Sequence, residues 1–209
     1  NDKIILHKKI KFYSNPYDWP FDQLKDAAIF HLDLEILLLS NECCLKDASA
    51  KNILFCNNKP IFIDILSFQR YEEGDFWLGQ MQFYQEFLNP LILKSFLSVD
   101  YNNWYKENFY GILTKDLNNL LRPLHKFRPS IFLHVYLPSI LKNKTNFKNK
   151  FTPTKKFSKD KYIYLLKSLK KTIQNLSIKE RQKDEWSSYD DFLPYNETEF
   201  SKKKTIVKN

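Results

Sequence analysis

Glycine is scarce in this chain. Only three occur among 209 residues, at Gly74, Gly79 and Gly111. Phosphate-binding loops of the GxGxxG and GxxxxGK types need closely spaced glycines, because their backbone must approach the phosphates. Neither pattern occurs here, so a glycine-rich cofactor loop is excluded from this sequence.

Cysteines and long apolar runs are also few. Cys43, Cys44 and Cys56 are odd in number and lack the CxxC spacing of a metal knuckle, which favours a reducing compartment and a cytoplasmic location. No apolar run reaches the roughly 18 residues of a membrane span. The chain opens without Met on an apolar run, so we expect the polypeptide to continue upstream.

The positive charge is concentrated in one part of the chain. The net charge is +9, and the stretch from Lys142 to Lys171 holds 11 lysines and one acidic residue. A nucleic-acid surface more often uses arginine for bidentate contacts. The lysines here are interleaved with Asn, Thr, Ser and Pro. The pattern therefore argues against nucleic acid as a partner.

The apolar spacing predicts an α+β fold that is mostly helical. Residues 21–39 carry apolar side chains at helical intervals, and two short apolar runs, 53–55 and 60–63, flank an Asn-rich turn typical of a β-hairpin. Further helices are predicted at 77–96 with a break at Pro90, and at 113–121, 132–141 and 161–176. An extended segment is predicted at 3–13.

Composition divides the chain into three parts. Residues 1–142 contain the predicted helices and hairpin, and residues 143–160 form a Lys-rich linker. We expect residues 161–209 to form a helical connector to a domain that would lie downstream of this chain. Within this linker, we expect residues from Asn143 to Ser158 to be an exposed connection rather than a DNA-docking surface.

One constellation of polar residues indicates chemistry. Asp47 lies in a polar loop after the first helix, Asn52 follows five residues later, and Asp64 ends the second strand of the hairpin. Phosphoryl transfer needs such oxygen-bearing side chains, since the protein supplies positioning and charge rather than covalent chemistry. The alternative is structural, with Asp47 capping a turn and Asp64 ending a strand.

This segment resembles the catalytic loop and metal-binding strand of the protein-kinase-like fold, in its aminoglycoside-phosphotransferase branch. The resemblance implies a C-lobe with Asp47 as the catalytic residue and with Asn52 and Asp64 as ligands of Mg²⁺ bound with ATP. The match departs from active kinases at Leu45, where the family has His, and at residues 65–66, where the pair after the metal-binding Asp differs.

A second resemblance covers nearly the whole chain. The chain resembles a bacterial methyltransferase family related to nodulation proteins in five phrases: NPYDWP (15–20), LKDASA (45–50), FIDILSF (62–68), QFYQEFLNP (82–90) and WSSY (186–189). The resemblance implies a class I S-adenosylmethionine-dependent methyltransferase domain downstream of this chain. That domain would bind S-adenosylmethionine and act on a small-molecule acceptor that the sequence does not identify.

Three functions therefore stay open. The leading interpretation is a kinase-like module that supports substrate binding in a methyltransferase polypeptide. The alternatives are a small-molecule phosphotransferase that uses Mg-ATP, and a non-catalytic pseudokinase that binds a substrate or partner. If the kinase-like interpretation is right, Asp47, Asn52 and Asp64 must converge beside the hairpin.

Overall fold

The computed structural model describes residues 9–10, 13–139, 158–178 and 196–208. The chain forms two compact units, residues 1–178 and 179–209. Most of the predicted extended segment at 3–13 lies outside the described residues, as does the Lys-rich stretch at 143–157. The mostly helical α+β class is confirmed.

The first helix, α1 (Phe21–Ser40), confirms the helix predicted at 21–39. Pro20 precedes its first turn and Asp22 lies within that turn, where a carboxylate interacts favourably with the helix dipole. One face of α1 is buried in the core, and it carries Phe21, Leu24, Ala27, Ala28, His31, Leu32, Glu35 and Leu39.

Two small antiparallel sheets follow α1. The strands β2 (Ile53–Cys56) and β3 (Lys59–Phe62) form the predicted hairpin, and Asn57 and Asn58 both adopt positive φ, as a type I′ turn requires. The strands β1 (Cys43–Leu45) and β4 (Phe68–Arg70) pair outside it, with Leu45 opposite Phe68. The β1–β4 ladder thus brackets the segment that contains both the polar loop and the hairpin.

The helix predicted at 77–96 is found from Gln80 to Leu97, but the predicted break at Pro90 is wrong because the helix continues through it. A short helix, α2 (Gln80–Phe83), runs through a π turn (Tyr84–Leu88) into α3 (Asn89–Leu97). In the π turn the N–H of Asn89 donates to the carbonyl of Tyr84, five residues back. The missing N–H of Pro90 then falls where the helix changes hydrogen-bond register, so the proline is accommodated.

Several shorter helices follow α3 in the described part of the first unit. They are α4 (Asn102–Glu107), α5 (Thr114–Leu120), α6 (Pro123–Lys126) and α7 (Pro129–Ile131), and α7 leads into a second π turn (Phe132–Tyr136). The helix α5 confirms the prediction at 113–121. The predicted helix at 132–141 is found as this π turn and its continuation to residue 139.

The helix α8 (Lys159–Gln174) packs against α1. Its buried face carries Tyr162, Leu166, Leu169 and Ile173. Lys170 pairs with Asp33 at 2.6 Å. The ammonium of Lys25 donates to the carbonyls of Gln174, the last residue of α8, and of Leu176. The division of the chain at 142 and 160 stays a prediction, and α8, which packs on α1, spans the second of these boundaries. In the second unit the structure describes α9 (Glu197–Lys208).

The carboxyl of Glu35 connects three elements inside this core. It is fully buried on α1 and accepts hydrogen bonds from the N–H of Leu45 at 3.0 Å and the hydroxyl of Tyr162 at 2.7 Å. Burial raises its pKa to about 7, and the two hydrogen bonds oppose that shift. Glu35 therefore fixes α8 and the end of β1 to α1.

We expect Glu35→Gln to flatten the pH dependence of stability. The raised pKa of Glu35 makes its contribution full below its usual value of 4.5 and lost as pH rises through about 7. Between pH 5 and pH 8 the variant should therefore lose roughly 2–3 kcal/mol less unfolding free energy than the wild-type chain. Urea unfolding at both pH values measures this.

Two buried histidines change stability with pH in the opposite direction. Their contribution is the same in the variant and in wild type, so it cancels in the comparison. Burial lowers the pKa of His31 to about 3 and that of His134 to about 4, so both disfavour folding as pH falls. Glu107→Gln, at an exposed glutamate, is the matched control and should follow wild type. A Glu35→Gln profile parallel to wild type would contradict the assignment.

The π turn also explains why position 111 is a glycine. Because Asn89 donates to Tyr84, the carbonyl of Gln85 is left to accept the N–H of Ile112 at 2.9 Å. Gly111 reaches this contact with φ of +75°, and a Cβ at this position would lie 2.4 Å from the Gln85 oxygen.

Gly111→Ala should therefore destabilise the chain by about 2–4 kcal/mol, through both the left-handed backbone and the steric overlap. Chemical denaturation monitored by circular dichroism gives the value. Tyr110→Ala changes the exposed neighbouring side chain and should alter stability by less than about 1 kcal/mol. Equal effects of the two variants would refute this account of Gly111.

Candidate functional site

The structure brings Asp47, Asn52 and Asp64 together. The amide nitrogen Nδ2 of Asn52 donates to Oδ1 of Asp47 at 2.8 Å and to Oδ2 of Asp64 at 3.3 Å. All three side chains are half-buried at one edge of the β2–β3 hairpin. The roles of Asp47 in catalysis and of Asn52 and Asp64 in metal binding stay predictions.

Local structure positions each member of this site. Asp47 lies two residues beyond β1, and Asn52 ends a 3₁₀ turn (Ala50–Asn52) that leads directly into β2. The carbonyl of Asn52 accepts the N–H of Ile63 at 2.9 Å, which fixes Asn52 beside the residue that precedes Asp64. Asp64 also caps the next 3₁₀ turn (Ile65–Ser67) by accepting the N–H of Leu66 at 3.0 Å.

The hydrogen bonds determine what each group can still bind. Both N–H bonds of the Asn52 amide point to carboxylates, so its oxygen Oδ1 is the atom that can bind a cation. Carboxylate and amide oxygens are ligands that Mg²⁺ prefers, with water and phosphate oxygens completing its shell. No cluster of three His, Cys, Asp or Glu side chains suited to a metal occurs in the part of the chain that the structure describes.

A buried glutamate, which the sequence analysis did not identify, shapes the loop between Asp47 and Asn52. The Oε2 atom of Glu86 accepts the N–H of Ala50 at 2.9 Å and the hydroxyls of Ser49 and Tyr105, both at 3.2 Å. Its Oε1 atom accepts Nε2 of Gln82 at 3.0 Å. Burial and the nearby carboxylate raise the pKa of Tyr105, so its hydroxyl stays a donor. The signal in the sequence was an acidic residue on an otherwise apolar helix face.

The start of α2 closes on the same loop. Oε1 of Gln82 accepts the N–H of Ala48 at 3.1 Å. A Cβ at Gly79 would lie 2.7 Å from the Cβ of Ala48, so only glycine allows this approach. The backbone on the C-terminal side of Asp47 is therefore fixed by α2 and by Glu86 of the π turn.

The two lysines that flank the site bond to backbone carbonyls. The ammonium of Lys46 donates to the carbonyl of Leu66 at 3.1 Å. That of Lys51 donates to the carbonyl of Phe109 at 2.9 Å and lies 3.2 Å from the centroid of the Phe109 ring. Both cations thus connect the loop to neighbouring segments.

The rim of the site next to Asp64 is apolar and exposed. Leu66 is 83% exposed, and Ile63, Ile65 and Phe68 are also accessible. The carboxylate of Asp64 next to this rim is half-buried.

Within the described ranges, no helix is both long and apolar enough to cross a membrane.

Glu86→Gln should cost about 2–3 kcal/mol of unfolding free energy. A glutamine has one acceptor oxygen, and its NH₂ group would face a donor in either orientation. The variant should also speed amide exchange at Ala50. Urea unfolding and hydrogen-exchange NMR measure the two effects.

Glu107→Gln makes the same chemical change at an exposed position and should leave both quantities near the wild-type values. Unchanged exchange at Ala50 in Glu86→Gln would show that Glu86 does not hold the loop.

Comparison with known proteins supplies one relationship. No protein-family model matches the chain, and no solved structure gives a significant match. The nodulation protein NoeA of Rhizobium meliloti (strain 1021) is 33% identical over 209 residues, which include 98% of this chain and 44% of NoeA. The chain therefore spans less than half the length of this relative. The predicted relation to nodulation proteins is confirmed to this extent: nearly all of this chain is similar to part of NoeA.

Proposed function

We propose that this chain is a kinase-like module whose Asp47, Asn52 and Asp64 form a site for magnesium and phosphate. The observation that carries the proposal is the pair of hydrogen bonds from Asn52, which unites the three predicted side chains. Asn52 and Asp64 would hold the metal, and Asp47 would accept the proton of an acceptor hydroxyl.

The surrounding topology supports the kinase-like part of the proposal. A long helix feeds a polar loop, a hairpin follows, and a second strand pair brackets both. This order places an Asp at the start of the loop, an Asn at its end and an Asp after the hairpin. It is the arrangement expected of a C-lobe catalytic loop and metal-binding strand.

The site suits transfer of a phosphoryl group from ATP to a hydroxyl. The acceptor O–H would give its proton to Asp47, its oxygen would bond to the γ-phosphorus, and the bond from that phosphorus to the bridging oxygen would break to release ADP. Bound magnesium would neutralise charge on the phosphates.

The second part of the proposal concerns a polypeptide that would extend beyond this chain. The family resemblance of the quoted sequence phrases implies a class I S-adenosylmethionine-dependent methyltransferase domain, and the similarity of this chain to less than half of NoeA leaves room for such a domain. S-adenosylmethionine would then bind outside this chain, and the module would support binding of the small-molecule acceptor. The ammonium groups of Lys46 and Lys51 donate to backbone carbonyls, so neither is committed to pairing with a phosphate. This favours the version of the proposal in which the module binds without catalysing transfer.

The proposal predicts weak, magnesium-dependent binding of ATP to this chain. The exposed rim keeps the charges near Asp64 hydrated, where a close pair contributes about 1 kcal/mol. We expect a Kd no tighter than about 1 mM and loss of binding in Asp64→Ala. Titration calorimetry with and without Mg²⁺ measures both.

Asp26→Ala removes an exposed carboxylate on α1 and is the matched control. A micromolar Kd that Asp64→Ala abolishes would favour the phosphotransferase over the accessory module. Equal ATP affinity in Asp64→Ala and wild type would refute the magnesium and phosphate site.

A further inference from the structure

We propose that Ser67 is a positioning residue for Asp47, selecting the carboxylate oxygen that faces an acceptor hydroxyl. This inference rests on the proposed function. The hydroxyl of Ser67 donates to Oδ1 of Asp47 at 3.0 Å, and Ser67 is only 3% exposed.

Ser67 is itself rigidly held. Its N–H donates to the carbonyl of Asp64 at 3.3 Å, and its carbonyl accepts the N–H of Lys46 at 2.8 Å. It lies directly before β4, next to the pairing of Phe68 with Leu45. Ser67 thus bonds to the residue before Asp47, to Asp47 itself and to Asp64.

The contacts distinguish the two oxygens of Asp47. Oδ1 accepts both Nδ2 of Asn52 and Oγ of Ser67, whereas no donor among the described residues bonds to Oδ2. A carboxylate whose Oδ1 is held by two donors has little freedom to rotate. Oδ2 is therefore the oxygen that would take the proton of an acceptor hydroxyl.

The side-chain hydroxyl of Ser67 bonds to Asp47 and to neither of the proposed metal-binding side chains. Asn52 is shared between Asp47 and Asp64, so a cation drawn to Asn52 and Asp64 would compete for its geometry. Ser67 donates its hydroxyl to Asp47 and only its backbone N–H to Asp64. It can hold Asp47 in place whether or not a cation is bound.

The test uses the chain labelled with ¹³C at the aspartate carboxyl carbons. The Asp47 signal is assigned by its loss in Asp47→Asn. Ser67→Ala should shift the Asp47 signal, and Ser67→Thr, which keeps the hydroxyl, should restore it. Ser40→Ala removes an exposed hydroxyl bonded within α1 and should leave the signal unchanged.

Two further measurements separate positioning from general structure. Magnesium affinity, followed at the Asp64 signal, should change less than about twofold in Ser67→Ala, because its ligands are untouched. Where wild type releases more phosphate from magnesium-ATP than Asp47→Asn does, Ser67→Ala should lower that release about tenfold at unchanged nucleotide Kd. A loss explained entirely by weaker nucleotide binding would overturn the positioning role.

The outcome for Ser67 is distinguishable from that for the proposed function. If wild type releases no more phosphate than Asp47→Asn, phosphoryl transfer is refuted, and the Asp47 signal alone decides the inference. If that signal stays in place in Ser67→Ala, Ser67 does not position Asp47, whatever the chain does with ATP.

Discussion

The carboxylate of Glu86 is buried in the core and accepts four hydrogen bonds, and the loop that carries Asp47 takes its shape from these contacts. A buried charge is costly unless its oxygens are fully bonded. Ala50, Ser49, Tyr105 and Gln82 supply those donors. The π turn places Glu86 towards the loop and frees the carbonyl of Gln85 for Ile112. Helix geometry and loop geometry therefore depend on each other at this point.

Glu35 plays the corresponding part on the other side of the loop. It bonds to the N–H of Leu45, two residues before Asp47, and to Tyr162 on α8. The two glutamates thus fix the backbone before and after Asp47 from two different helices. A loop held in this way presents polar side chains with little conformational freedom, which is the precondition for a functional site.

The site combines a rigid floor with an open rim. Asp47, Asn52, Asp64 and Ser67 share hydrogen bonds, and these bonds define their relative positions. The apolar side chains beside Asp64 are exposed to solvent. Charges at such a site are screened by water, which explains why a well-ordered constellation is compatible with weak binding of a charged ligand.

Local patterns in the sequence determined α1, the hairpin, the helix α8 and the spacing of Asp47, Asn52 and Asp64. These features depend on periodicity and turn residues within about 20 positions, so they can be predicted from the residues themselves. The spacing also indicated that the three polar side chains should meet. It could not indicate which atoms bond, because that depends on how the 3₁₀ turns orient each side chain.

Tertiary structure alone decided the parts that hold the site in place. Glu86 meets Ala50 across 36 residues and Glu35 meets Tyr162 across 127, and no local pattern encodes such pairs. The continuity of the helix through Pro90 depends on a π turn whose freed carbonyl binds the loop at Ile112. Ser67 gains its contact with Asp47 only when β1 pairs with β4. Buried polar groups find their partners through packing, so their roles appear only once the chain is folded.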